Sequence, residues 1–241
     1  MTEPIRLSKR VAALAGCSRG QAEQYIEGGW VRVDGEVVEQ PQFKVTDQHV
    51  EIDPAAKLQV AEPATVLLHK PAGVELSSTD DPALPTLVTA ANHWREDASG
   101  VRPLKRHLLR LTPLLPIDRD VSGLLVLTQD GRVWRRLTED ADQIEQEYVV
   151  DFSGELPPDA LDRLNAGVPI WGQGARPCKA SRQSETRLRI VLKGARPGQI
   201  PELCRAVGVQ FLAIRRLRIG KVSLGKMPAG MWRYQPVSER F

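Results

Sequence analysis

Ile117-Asp118-Arg119-Asp120-Val121-Ser122-Gly123-Leu124-Leu125-Val126-Leu127-Thr128-Gln129-Asp130-Gly131 is the stretch on which the reading of this chain turns. An acidic residue sits in a short polar turn that runs straight into an apolar strand, and Asp130-Gly131 closes the strand with a turn signal. A carboxylate so placed stands at the lip of a rigid sheet. The strand holds its backbone still while the loop lets the side chain reach a ligand. Asp before a strand more often does no more than cap a turn, so the rest of the chain has to supply the context.

The surrounding 241 residues suit one large domain, or a small one plus a medium one. A hydrophobic content of 41% is enough for a buried core and excludes a disordered chain. The net charge of +3 and pI of about 8.8 permit nucleic-acid binding without requiring it, so the location of the charge matters more than its sum. Cys17, Cys178 and Cys204 are far apart, as are His49, His69, His93 and His107, which argues against a zinc site and fits a reducing compartment. No apolar run approaches the roughly 20 residues a membrane span needs. Met1-Thr2-Glu3-Pro4 lacks a basic-then-apolar signal peptide. These features predict a soluble cytoplasmic protein.

Residues 1–60 form a legible block. Ser8 is placed to cap a helix carrying Val11, Leu14 and Ala15 on one face. Ser18-Arg19-Gly20-Gln21 reads as a capping box opening a second helix, which buries Ala22, Tyr25 and Ile26 and stops at Gly28-Gly29. Val31-Arg32-Val33, the Asp34-Gly35 turn and Val37-Val38 predict a hairpin, with a further strand from Val45, Val50 and Ile52. Arg6, Lys9, Arg10 and Arg19 fall on or near the helical faces and Arg32 on the ribbon, a set able to converge on a phosphate backbone. The ordered pieces Arg6-Leu7-Ser8-Lys9-Arg10, Ser18-Arg19-Gly20-Gln21-Ala22-Glu23 and Gly29-Trp30-Val31-Arg32-Val33-Asp34-Gly35 resemble the S4 RNA-binding domain. That resemblance implies that Arg6, Lys9, Arg10, Arg19 and Arg32 bind RNA.

Asp53 to Ala64, rich in Ala and Pro without apolar periodicity, reads as a linker. Residues 61–241 then alternate strand-like and helix-like pieces. Strands are expected at Val66–His69, Leu124–Thr128, Glu147–Phe152, Leu188–Leu192, Phe211–Ile219 and around Val222. Helices are expected around Val133 to Leu137, after Pro157-Pro158-Asp159 to Gly167, and from Ile200 to Val207. Tight turns and helices both join neighbouring strands, so the fold class is α+β: a small N-terminal α/β module and a larger domain with a mixed, mostly antiparallel sheet.

Lys70-Pro71-Ala72-Gly73-Val74, the Asp118 turn and Glu147-Tyr148-Val149-Val150 together resemble the RNA pseudouridine synthases of the RsuA type. The family detaches the uracil of a uridine already in RNA, turns it over and rejoins it through a carbon. The resemblance implies an isomerase that needs neither metal nor organic cofactor, acts on structured RNA (ribosomal RNA foremost, transfer RNA as an option), and has no membrane partner. With no heptad pattern, a monomer is the default. It gives the catalytic carboxylate to Asp118, with Asp120 as a turn residue, and places Tyr148 against the uracil. Lys70 and Arg205 complete the expected substrate-binding set.

The chemistry accounts for these residue types. Breaking a glycosidic bond develops positive charge on the sugar, which a carboxylate stabilises, attacks or relieves of a proton. The carboxylate must stay ionised in a dry site, so a nearby cation is required. Here the chain departs from the family. The usual Gly-Arg before the catalytic turn is Leu115-Pro116. Where the family has two basic residues after Gln-Val/Ile, this chain reads Gln199-Ile200-Pro201-Glu202, and Gln146 replaces a lysine before the tyrosine. Glu202 opposes ionisation of Asp118, so Arg205 or Arg196 is expected to supply the cation. Arg215, Arg216, Arg218 and Lys221 form a basic run that strand alternation splits between two faces. Alternative readings are a catalytically weak or inactive relative that only binds RNA, and an RNA-binding regulator unconnected with this chemistry.

Overall fold

The computed structural model describes residues 3–58 and 62–241 and divides into two compact units. The first comprises the N-terminal residues through Pro63 together with Arg102–His107; the second comprises Ala64–Val101 and Leu108–Phe241. A single boundary near residue 60 has no place for the short 102–107 stretch. Nor is 53–58 a free linker. The Asp53 N–H donates to the Trp30 carbonyl (2.8 Å) and its carboxylate accepts from Ala55 N–H (3.0 Å). The remainder of that expected linker, residues 59–61, lies outside the described residues, as do Met1 and Thr2 of the N-terminal reading.

In the first unit β1 (Ile5–Arg6) leads into α1 (Leu7–Ala15), followed by α2 (Arg19–Glu27), β2 (Val31–Val33), β3 (Glu36–Val37), β4 (Lys44–Val45) and β5 (Val50–Ile52). The capping box forms as expected: Ser18 Oγ accepts from Gln21 N–H (3.2 Å) and Gln21 Oε1 from Ser18 N–H (2.9 Å). Ser8 does not cap. Helix α1 begins at Leu7 with Arg6 as its N-cap, two residues earlier than a cap at Ser8 would give, and Ser8 is buried with its hydroxyl unpartnered among the described residues. Asp34 (φ 50°) and Gly35 (φ 84°) both adopt the left-handed conformation of the tight hairpin turn. Val45 and Val50 belong to different pairings: β4 lies antiparallel to β1, whereas β5 joins β2 and β3. Leu7, Val11, Ala22, Ile26, Val31, Val33, Val45 and Val50 close the core. Residues 102–107 complete the unit, with the Arg102 guanidinium 4.0 Å over the Trp30 ring and bonded to the Gly29 carbonyl (2.6 Å).

The second unit runs β6 (Thr65–Lys70), α3 (Leu84–Leu87), β7 (Thr112–Leu114), β8 (Ser122–Thr128), α4 (Gly131–Glu139), β9 (Glu145–Ser153), α5 (Ala160–Ala166), β10 (Lys179–Ser184), β11 (Arg187–Lys193), α6 (Gln199–Ala206), β12 (Gln210–Ile219), β13 (Val222–Ser223) and β14 (Trp232–Tyr234). The sheet order is β10-β11-β9-β12-β8-β6-β14, with β7 beside β8 and β13 beside β12. Every pairing is antiparallel except β12 with β8. This is the mixed, mostly antiparallel sheet that the alternation of strands and helices predicted. Strands β6 and β8 are apolar on both faces because both are covered. Val66, Leu68, Leu125 and Leu127 pack on one side, and Leu67, Leu124 and Val126 on the other. Strand β9 alternates buried and half-buried, as its sequence does. A third cluster, including Val150, Ile190, Ile214, Leu164 and Leu203, packs α5 and α6 on the other half of the sheet.

Strands β7, β10 and β14 escaped the sequence reading. Pro113 sits in β7, which pairs with β8 alone, and β10 is too polar to show an apolar period. The parallel junction depends on Gly123. Its φ is +119°, and a Cβ there would fall 2.3 Å from the Arg216 carbonyl oxygen and 2.5 Å from its nitrogen. Gly123→Ala must therefore force β8 and β12 apart. A loss of about 2–3 kcal/mol in urea unfolding is expected; an unchanged midpoint would show that the junction yields freely.

Candidate active site

The Asp118 turn is held from two sides. Its own backbone closes with Val121 N–H donating to the Asp118 carbonyl (3.1 Å). Across from it, Gly73 N–H donates to the Arg119 carbonyl (2.8 Å) and Arg119 Nε returns a bond to the Gly73 carbonyl (3.1 Å). Lys70, at the end of β6, is fully buried. Its ammonium donates to the carbonyls of Pro71 (3.0 Å), Val74 (2.5 Å) and Arg119 (3.0 Å). Three carbonyls absorb all three of its protons. The expectation that Lys70 touches substrate is corrected on this ground: its charge faces inward and ties the Lys70-to-Val74 turn to the residue after Asp118.

Asp118 itself is half-buried, and its Oδ2 accepts from Gly198 N–H (2.8 Å). Gly198 is the N-cap of α6, in the left-handed conformation at φ +79°. The carboxylate thus lies at the positive end of a helix, where a backbone amide and the aligned peptide dipoles favour negative charge. Among the described residues no Arg or Lys forms an ion pair with it. Arg205 points outward: its guanidinium pairs with Glu202 (2.9 Å), and its side chain is 61% exposed. The buried positions of α6 are Gln199, Ile200, Leu203 and Cys204, so helical spacing puts residues 202 and 205 together on the opposite face. The expected role of Arg205 as partner of Asp118 is therefore corrected: its bond to Glu202 compensates that negative charge instead. Arg196 is exposed and likewise makes no ion pair among the described residues.

Below the turn, β9 and β12 supply a buried polar group. Arg216 is 1% exposed; its Nε donates to the Leu124 carbonyl (2.8 Å) and its Nη1 to Gln146 Oε1 (2.9 Å). The same oxygen accepts from the Tyr148 hydroxyl (2.9 Å). An amide at 146 accepts both bonds, which the family's lysine could not do. Burial raises the Tyr148 pKa. The Arg216 charge opposes that rise and the Asp118 charge adds to it, so the three groups share one electrostatic neighbourhood. Tyr148 is only 4% exposed, so in this conformation its ring packs on protein instead of standing open to a base. Arg216 was visible only as one member of a basic run. Its pairing opposite Tyr148 in the β9–β12 ladder singles it out. A bulge between Arg216 and Arg218 breaks simple alternation, and Arg218 bonds Glu147 instead (2.9 Å). Asp120 is exposed, as a turn residue would be.

In the first unit Arg6, Lys9 and Arg10 are exposed and form no ion pair among the described residues, Arg19 pairs with Glu23 (3.2 Å), and Arg32 donates to the Gly35 carbonyl (2.9 Å). Among the described residues no cluster of His, Cys, Asp and Glu could hold a metal ion, and no helix is long and apolar enough to cross a membrane.

Residues 64–205 match the RNA pseudouridylate synthase family, and residues 5–50 match the S4 domain. The dual-specificity RNA pseudouridine synthase RluF of Escherichia coli strain K12 is 29% identical over 236 residues, covering 95% of this chain and 74% of the relative. The ribosomal small subunit pseudouridine synthase A of the same strain is 28% identical over 242 residues, covering 98% and 97%. A crystal structure of a pseudouridylate synthase shares the fold at a TM-score of 0.60 and 21% identity, covering 97% of both chains. The chain belongs to the RNA pseudouridylate synthase family, a class of isomerases, with an S4 domain at its N-terminus.

Lys70 offers a pH test of this geometry. Burial pulls its pKa down from 10.5 to about 8, partly offset by the carboxylates of Asp120 and Asp118. The folded chain releases the proton near pH 8 and the unfolded chain near 10.5, so between those values the unfolded state holds more protons. Stability from this group therefore rises with pH across that window. In urea melts from about pH 7 to about pH 10, the difference between wild type and Lys70→Met should move in favour of wild type above pH 8. A flat difference would mean that Lys70 keeps its proton throughout.

Proposed function

We propose that this protein isomerises a specific uridine of ribosomal RNA to pseudouridine, with Asp118 as the catalytic carboxylate. One observation carries the reading. In the family-matched region, a half-buried carboxylate is held by a 2.8 Å bond from the N-cap amide of a helix, at the end of a rigid central strand. As the N1–C1′ bond breaks, positive charge grows on the sugar, and a fixed carboxylate stabilises, attacks or deprotonates it. The uracil rotates, C5 bonds to C1′, and the proton on C5 is lost as N1 gains one. The Gly198 amide keeps Asp118 aimed, and the Lys70–Arg119 contact keeps its loop in place. Tyr148, Gln146 and Arg216 form the floor. The small-subunit name of one relative supports ribosomal RNA as substrate. The S4 unit, with exposed Arg6, Lys9 and Arg10 and with Arg19 and Arg32, supplies contacts to the phosphate backbone, which offset the few kcal/mol needed to unstack the base.

A second reading is an RNA-binding relative with little or no catalysis. The lack of an Arg or Lys ion pair to Asp118 among the described residues favours it. Ribosomal RNA from cells lacking the protein, incubated with wild type and with Asp118→Asn, separates the two. A new pseudouridine made by wild type, and reduced by at least about 10³-fold in the variant, is expected. Tight RNA binding with no new site would support the second reading. Equal product from both proteins would remove Asp118 from the chemistry.

A further inference from the structure

We infer that Trp171, flanked by Arg176 and Arg196, forms a stacking subsite for one unpaired nucleotide of the RNA, beside the Asp118 carboxylate. The inference deepens the proposed function and rests on that reading for the identity of the RNA. Trp171 sits at the tip of a loop closed by a bridge between Val168 and Arg176 and by Gln173 N–H donating to the Ile170 carbonyl (2.9 Å). The two central residues of this turn, Trp171 (φ 52°) and Gly172 (φ 69°), are both left-handed. That geometry selects Asn, Asp or Gly at its first central position, and a bulky aromatic there is an outlier. Turn formation therefore gives no reason for tryptophan, and strain of this kind gathers where a side chain serves a ligand.

The ring is also in a telling place. Trp171 is 49% exposed, and a Cβ on Gly198 would meet its Cζ2 at 3.2 Å. Gly198 is the residue whose amide holds Asp118, so the edge of the ring lies against the residue that aims the carboxylate. Arg176 and Arg196 line the same shallow cleft, with Gln173 and Gln199. Both guanidinium groups are exposed and lack an ion-pair partner among the described residues. An open indole sharing one cleft with two exposed guanidinium groups matches the parts of a single-stranded nucleic-acid site: a flat ring for a base and cations for its flanking phosphates. Buried Tyr148 has no comparable open face, so Trp171 is the aromatic beside Asp118 that is free to stack.

The test uses the full chain carrying Asp118→Asn, so that binding is read without turnover, and a five-uridine oligoribonucleotide as probe. Tryptophan fluorescence and a labelled-RNA titration are followed for the parent, Trp171→Phe, Trp171→Ala and the double variant Arg176→Gln/Arg196→Gln. Stacking predicts that RNA quenches the parent and that the quench disappears in Trp171→Phe while affinity is largely kept. Affinity should fall about tenfold or more in Trp171→Ala. The double variant should bind more weakly and show a shallower dependence on salt. An undiminished quench in Trp171→Phe, or unchanged affinity in Trp171→Ala, overturns the inference. With Asp118 intact, a protein that passes these tests yet makes no pseudouridine keeps the subsite and loses the enzymatic reading. One that makes pseudouridine but is indifferent to Trp171 loses the subsite alone.

Discussion

The close approach of β8 to β12 at Gly123 and Arg216 is the constraint on which the second unit is built. These two strands make the one parallel pairing among the described strands of that sheet, and they join its two halves. The other pairings are antiparallel, and this one, like that of β14 with β6, brings together residues far apart in the chain, so loop-closure entropy must be overcome by burial on both faces. The absence of a side chain at 123 lets the Arg216 backbone lie against it. The same contact places the Arg216 guanidinium under Leu124, where its Nε finds a carbonyl and its Nη1 finds Gln146. A buried cation without such partners would be strongly destabilising.

From that junction the site follows in sequence. Strand β8 begins at Ser122, so the turn carrying Asp118 projects from the most thoroughly buried part of the sheet. A charged group at such a lip needs compensation. In this chain the direct hydrogen bond comes from the N-cap amide of α6, and the Lys70 charge acts on the carboxylate through space. A backbone amide cannot swing away as an arginine can, which trades charge for fixed direction. Leu115 shows the same chain accepting local strain near the site. It adopts φ 49°, a conformation that costs glycine nothing and a branched residue something, and the family usually places glycine there.

Much of this was legible in the sequence where one local pattern dominated. The Ser18–Gln21 box, the Asp34-Gly35 turn, the two apolar runs at 66–69 and 124–128 and the alternation through Tyr148 each depend on near neighbours. Ser8 was misleading because a cap depends on where the first turn starts, which packing of Leu7 into the core decides. Lys70 was misleading because a lysine in a Pro-Gly turn is ordinarily solvated. Only the return of the chain at Val74 and Arg119 supplies the carbonyls that make its burial tolerable.

The order of residues alone therefore determined the two-part organisation, the α+β class and the strand-leading turn that carries Asp118, since each is written in patterns a few residues long. Tertiary structure alone decided what surrounds that carboxylate. Gly198 is 80 positions from Asp118, Arg216 is 70 from Gln146, and Trp171 meets Gly198 across a loop. The reason is physical: hydrogen bonds and burial act through space. A glycine amide at a helix start or a guanidinium beneath a strand has no signature until the sheet brings it within 3 Å of its partner.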